Sequence, residues 1–298
     1  MGRQTNKILN IVLMLVMQIL AITLANYAHA DDKKKISLSN FGQPGIIDLP
    51  SGLRLPDGEL VITQQLHTSL ARSSISFQAL PRVGLSFRYS GHGFDGSEAY
   101  GRMNHDRSFD AHVSIVDEGV YRPAISLGMR DFIGTGWYSS EYMAGTKTIG
   151  NLETTLGLGF GRLTGKNSFS NPLRTISSSF EKRGGKTVGK GGTLGGINWF
   201  SGDASLFYGL NYRLGKKIIL ALEYTPDLMS IESRYYYNLK SHWNLGVSYQ
   251  LNDFVNLAAQ YLHGDQISLT ANISINPDRP PLDGGKEYQI EVCKQCRC

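Results

Sequence analysis

"VGLSFRYSG", residues 83–91, sets Val83, Leu85, Phe87 and Tyr89 on one side of an extended chain and Gly84, Ser86, Arg88 and Ser90 on the other, because successive side chains of a strand point to opposite faces. One face is apolar and aromatic; the other is small, polar and carries a guanidinium. Two architectures use such a strand. A soluble sandwich or lipocalin-like barrel buries the apolar face and wets the polar one. A membrane barrel does the reverse, turning the apolar face to lipid and the polar face to its lumen.

The same rhythm recurs along the chain. Phe109, Ala111, Val113 and Ile115 alternate with Ser108, Asp110, His112 and Ser114, and Ile125, Leu127 and Met129 alternate with Ser126, Gly128 and Arg130. Leu152, Leu156, Leu158 and Phe160 stand opposite Glu153, Thr155, Gly157, Gly159 and Gly161. Further alternating runs start at Leu206, Leu245, Val255 and Ile267. Additional strands near 59–67, 73–80, 137–146, 217–225 and 231–240 bring the expectation to about thirteen. No extended helical pattern follows Ala30.

The start of the chain reads as an address. Arg3 and Lys7 precede an apolar run from Ile8 to Leu24, and Ala28-His29-Ala30 has the small-residue spacing of a signal-peptidase site, so residues 1–30 are expected to be a cleaved secretory signal. No cysteine follows that site, so a lipoprotein signal is not expected. Removing Arg3 and Lys7 leaves 28 bases against 25 acids, a balance that gives no support for nucleic-acid binding. The 34 glycines, 15 tyrosines and 12 phenylalanines favour sheets and turns over helices. Cys293, Cys296 and Cys298 all lie in the last six residues, so the body of an exported chain carries no disulfide framework.

The connections sort by parity. The two longest, about 91–107 and 164–203, join odd strands to even ones, whereas the links at Pro81, 117–122, 147–150, Gly215 and 263–265 are tight and expected to join even to odd. Outer-membrane barrels keep one rim of short turns and one of long loops, with an even strand number. Tyr288, Ile290 and Val292 alternate with Glu287, Gln289 and Glu291 and supply a closing strand near 286–292. With the export signal and the tyrosines toward strand ends, this favours an all-β, transmembrane, antiparallel up-and-down barrel of about 12–14 strands.

That orientation places Arg88, Arg130, Arg213 and Arg234 in the lumen with Asp110, Glu141, Glu153, Glu223 and His112. Four charges of each sign suggest a salt-bridged interior rather than an ion-selective one. The residues either neutralise one another or offer hydrogen bonds to a hydroxyl-rich glycan. Pro44, Gly45, Pro50, Ser51, Pro56, Asp57 and Gly58 fix turns just before the first strand. They form an entry segment that sets its register, or else plug the mouth of the barrel. Gly134 and Gly136 fit a tight external hairpin. Gly157, Gly159 and Gly161 leave room on the inner wall for a loop or a passing sugar. Lys182, Arg183, Lys186 and Lys190 lie in a long exterior loop, expected first to be mobile and otherwise to fold inward or bind an anionic polysaccharide.

Several stretches then resemble a known family. "FGQPGIIDLPSGLRLPDGEL" at 41–60 and "RDFIGTGWYSSEYMAGTK" at 130–147 are similar to the signature blocks of the YjbH family. "WFSGDASLFYGLNYRL" at 199–214, "LEYTPD" at 222–227 and "GVSYQLNDFVNLAAQYLHGDQISL" at 246–269 follow in the same order. The resemblance implies a bacterial outer-membrane β-barrel encoded with exopolysaccharide biosynthesis and export genes. Family members generally run well beyond the barrel and many are lipoproteins, whereas this chain stops at "CKQCRC", as a natural short form, a frameshift or a truncated gene model would.

Catalytic and metal motifs are weak. "RGGKT" at 183–187 lacks the leading glycine of a phosphate loop, since Phe180 stands there. His92, Asp95 and Ser97 share a Gly-rich loop without a nucleophile elbow, and the terminal C-x-x-C-x-C lacks a fourth zinc ligand. The organisation expected is therefore a signal at 1–30, a periplasmic entry segment at 31–58, a barrel at 59–276 and a tail at 277–298 that holds the closing strand or begins a second region. The function expected is non-enzymatic assistance of exopolysaccharide production or secretion, without cofactor or metal. The expected partners are outer-membrane lipids, exopolysaccharide and periplasmic export proteins. A structural barrel with a filled lumen and a glycan- or lipid-modifying enzyme are the alternatives.

Overall fold

The computed structural model describes residues 35–93, 104–184, 199–230 and 232–277. Twelve strands follow one another in the chain: β1 (Leu60–His67), β2 (Leu70–Leu80), β3 (Val83–His92), β4 (Asn104–Val116), β5 (Ala124–Gly134), β6 (Ser140–Ile149), β7 (Leu152–Gly161), β8 (Ala204–Leu214), β9 (Ile218–Tyr224), β10 (Trp243–Gln250), β11 (Val255–Leu262) and β12 (Gln266–Ile275). Each pairs with its sequence neighbours, and β1 closes on β12. The result is a transmembrane, antiparallel, up-and-down barrel with no free sheet edge. Closure leaves no backbone group unpaired toward lipid.

The alternation of the opening stretch resolves as the membrane arrangement. In β3, Leu85 and Phe87 are exposed while Ser86, Arg88 and Ser90 are buried. The neighbouring strands repeat this: Ile75, Phe77, Phe109, Ile115, Leu156, Leu206, Leu245 and Leu269 face outward, and Ser74, Ser76, Ser108, Ser114 and Ser126 face inward. A continuous apolar outer belt of this extent far exceeds the patches that water-soluble monomers tolerate. Tyr208, Tyr224 and Trp243 cluster on the outer surface, with ring centroids 4.9 to 5.5 Å apart, as interfacial aromatics do. No described helix is long and apolar enough to cross a membrane; the strands do the crossing.

Two sequence expectations change. Residues 231–240 are not a strand: they hold one helical turn, α1 (Glu232–Tyr235), inside the link from β9 to β10. Three consecutive tyrosines, Tyr235 to Tyr237, have β propensity but no alternation. Removing that strand makes the described barrel even-numbered, so closure needs nothing from 286–292, which lies outside the described residues. It also moves the 263–265 turn to the odd-to-even rim, beside the long links, and leaves 251–254 as the matching tight turn on the even-to-odd rim. The signal at 1–30, Asp95, Ser97, Lys186, Lys190 and the terminal cysteines likewise fall outside the described residues.

The third difference positions the site. Residues 35–58 do not wait at the mouth; most of 37–52 is buried within the barrel. Lys35 donates to the Asn252 and Asp253 carbonyls at 3.2 and 2.6 Å, and Arg54 pairs with Asp117 at 2.8 Å. Both contacts are on the even-to-odd rim, so the segment enters and leaves there. Between them it folds on itself, with Ser39 N–H donating to the Gln43 carbonyl, Asn40 N–H to Ile47, Ile46 N–H to Leu49 and Ser51 N–H to Pro44. Ile46, Ile47 and Leu49 then pack with Tyr142, Leu163, Phe207 and Leu262 as the apolar core.

Candidate functional site

The plug is held chiefly by polar bonds from the wall. The Glu223 carboxylate on β9 accepts the N–H groups of Ile47, Asp48 and Leu49 at 2.9 to 3.0 Å and the Asn244 amide at 2.8 Å. Three successive amides converging on one carboxylate form an anion nest. Around it Gln260 and Thr270 donate to Asn40 at 2.9 and 2.7 Å, Gln43 donates to Ser86 at 3.0 Å, and the Gly52 N–H donates to Thr146 at 2.8 Å. Small residues make the close approach possible. A Cβ on Gly52 would meet the carbonyl oxygens of Ala124 and Ala144, and one on Gly209 would lie 2.8 Å from Ile46 Cδ1.

Above the nest lies a layer of arginines and rings. Phe41, at the head of the plug, has the guanidinium carbons of Arg130, Arg72 and Arg88 at 3.9, 4.1 and 4.7 Å from its centroid. Tyr138 meets Phe41 edge-on at 6.0 Å. Arg88 also bonds Asp110 at 3.2 Å, and Asp110 in turn accepts the Asp131 N–H at 2.7 Å. Cation–π contacts of this kind contribute about 0.5–2 kcal/mol each, too little alone to offset burial of a guanidinium.

The opposite rim folds over the lumen. Arg162, in the β7–β8 link, binds Asp227 at 2.7 Å and Glu232 at 2.6 Å, which draws the β9–β10 link and α1 across the opening. Burial works against all three charges. Asp227 and Glu232 nevertheless hold Arg162 well above its ordinary value, and Arg162 holds Glu232 below its own. Tyr237 of the same link stacks on His263 at 5.5 Å. Burial pushes His263 below its ordinary value, against the pull of Asp48. The link expected to be mobile also turns inward: Arg183 grips Glu141 in a fork at 2.6 and 2.8 Å. Leu163 and Arg183 of that link take up the space at Gly159 and Gly161, and the Phe207 ring takes that at Gly157. Among the described residues the plug fills the lumen from one rim and these links fold over it from the other, and the cavity between them holds about 40 Å3.

Of the residues expected in the lumen, Arg88, Asp110, His112, Arg130, Glu141, Glu153 and Glu223 are buried there. Arg213 is half-buried, pairs with Glu153 at 3.6 Å and donates to the Lys35 carbonyl at 2.6 Å. His112 shares a hydrogen bond with the Tyr142 hydroxyl at 3.1 Å. Arg234 does not belong with them: it lies on α1 and is exposed. The salt-bridged interior is incomplete, because Glu223 is satisfied by backbone amides and Arg130 has no ion pair or hydrogen bond to a described residue. Of the signature turn, Pro44, Gly45, Pro50 and Ser51 are buried in the plug, whereas Pro56 and Asp57 are exposed and Gly58 is half-buried at the rim. Phe41, Tyr138, Arg72 and Arg162 escaped sequence reasoning. Extending the inward alternation of Ser76 and Ser74 back one step finds Arg72; the other three lie outside alternating strands. Among the described residues no group of His, Cys, Asp and Glu gathers as a metal site.

The chain is similar to several known proteins. A curated relative from Escherichia coli (strain K12), "Uncharacterized lipoprotein YjbH", is 28% identical over 267 residues, which is 86% of this chain but 38% of the relative. The chain thus spans little more than a third of that protein's length. Among solved structures, the COG4313 outer-membrane channel from Pseudomonas putida F1 aligns over 77% of this chain and all of its own at 8% identity and a TM-score of 0.40. The KdgM porin in complex with disordered oligogalacturonate aligns over 72% of this chain and 97% of its own at 12% identity and a TM-score of 0.38. The profile of the family described as exopolysaccharide biosynthesis protein YbjH matches residues 37–291, from the plug through the last described strand. The chain therefore belongs to the YjbH family of exopolysaccharide biosynthesis proteins.

Proposed function

We propose that the protein is a non-enzymatic, closed barrel of the bacterial outer membrane that supports exopolysaccharide production as a scaffold, its tight-turn rim and plug facing the periplasm. What supports this reading is a filled lumen: Glu223 holds the plug and Arg162 draws the outer links over it. A second reading, a gated secretion conduit, is favoured by one feature. Beside its apolar contacts, the plug meets Ser, Thr, Asn, Gln and Glu side chains of the wall, so its departure would leave a partly hydroxyl- and amide-lined path. Planar-bilayer recording separates the two. The scaffold predicts no steady conductance from wild-type chain and none from Glu223→Ala, whereas the conduit predicts that Glu223→Ala opens. Steady conductance of the wild type overturns the closed barrel. Exopolysaccharide output of cells lacking the chain tests the role itself: unchanged output overturns it.

A further inference from the structure

We propose that the cavity between the plug and the outer links is a carboxylate-binding site, with Arg130 of β5 and Arg72 of β2 as its two guanidinium donors. Both side chains are more than nine-tenths buried and line the cavity. Arg130 has neither an ion pair nor a hydrogen bond to any described residue, and its Nε and Nη2 lie buried without an acceptor. Arg72 bonds only Gln65, through Nη1 at 3.0 Å, and its Nε is likewise without an acceptor. Arginine stays protonated in proteins, so two buried guanidiniums without counter-ions represent a large desolvation cost that a ligand would offset.

Four carboxylates near the site have partners of their own. Asp227 and Glu232 bind Arg162. Asp48 accepts the Asn40 amide at 3.0 Å and faces His263 at 3.8 Å, and Asp110 serves Arg88 and the Asp131 amide. The cavity wall carries Arg72, Arg130 and Arg162 with Asp48, Asp227 and Glu232; Arg162 takes Asp227 and Glu232, while neither Arg72 nor Arg130 forms a salt bridge to a described carboxylate. The two guanidiniums favour an anion, and Asp48 on the same wall works against a second negative charge. Arginine forks match the two oxygens of a planar carboxylate. A cavity of about 40 Å3 accommodates a carboxyl group. The carboxylate belongs either to a small organic acid or to an acidic sugar whose ring stays outside; the site requires the closed barrel and not the exopolysaccharide role.

The test is isothermal titration of the full chain, folded in detergent micelles, with sodium acetate, glucuronate, glucose and inorganic phosphate. One acetate or glucuronate per chain is expected, weakened about tenfold or more by Arg130→Gln or by Arg72→Gln, with glucose silent. Acetate alone binding identifies a small acid as the source; glucuronate binding as well identifies an acidic sugar. Phosphate binding as tightly as either, no binding by wild type, or binding that both variants leave unchanged overturns the proposal. Should one variant fail to fold, the wild-type titration and the variant on the other strand still decide it.

Discussion

Glu223 shows how one side chain can fix an element that lies far away in sequence. Its carboxylate accepts three adjacent plug amides, Ile47 to Leu49, at 2.9 to 3.0 Å, and a carboxylate acceptor makes each bond stronger than a neutral one. Glu223→Ala leaves those buried N–H groups without an acceptor, so the plug should loosen at a cost of about 3 kcal/mol. Glu223→Gln keeps one carbonyl oxygen and should cost less than half of that. Urea midpoints in lipid vesicles compare the two, and equal midpoints for Glu223→Ala and wild type would remove the nest from the account. Gly209 tests the same contact from the apolar side. A Cβ there lies 2.8 Å from Ile46, so Gly209→Val should destabilise by about 1–3 kcal/mol through overpacking. The inward face of Glu223 was legible from alternation. Its partner was not, since Ile47 lies 176 positions away and amides leave no trace in residue identity.

At the scale of elements, the tight turn at 117–123 doubles as an anchor. Asp117 is held below its ordinary carboxyl value chiefly by the hydrogen bond from Arg54. In Glu118, burial pushes upward but loses to bonds from Thr148 and Lys147, so it too is lowered. Depressed carboxyl values mean that the unfolded chain binds protons more readily. The stabilisation is therefore complete above the ordinary values, near pH 4 to 4.5, and drains away as pH falls through the lower folded-state ones. The stability gap between wild type and Asp117→Asn should accordingly be full at about pH 6 and shrink as pH falls below about 4; a gap that does not shrink in acid would contradict the anchor. The β7–β8 link makes a second case. If Arg183 and Glu141 hold it inward, Arg183→Ala should speed chymotrypsin cleavage at Phe180 or Phe200 several-fold, as expected for a locally opened segment. This link reads as a mobile loop because Gly, Ser and Lys dominate it, and no local pattern announces that one arginine will reach the wall. The tyrosine run at 235–237 misleads in the opposite sense, since propensity without alternation does not make a strand.

For the whole molecule, period-2 alternation was enough to place the apolar residues outside, and that one inference carries closure and the polarity of the wall, though it counted one strand too many at 231–240. It predicts that Leu156→Arg, on the lipid face of β7, costs about 2–4 kcal/mol and lowers the fraction of chain that folds into vesicles, whereas Thr155→Arg disturbs the interior instead. Equal insertion of Leu156→Arg and wild type, read by heat-modifiable gel mobility, would undo the orientation. What alternation does not carry is occupancy of the lumen, because residues 35–58 do not alternate and meet the wall through contacts far apart in sequence. Those residues come in past Asn252 and Asp253 and go out past Asp117 on the same rim. In topological terms the described plug is a bight, not a thread: residues 35–58 enter and leave by the same rim. The wall can close first and receive its filling last, and a pull from that one side can draw the filling out again without unpairing a single strand.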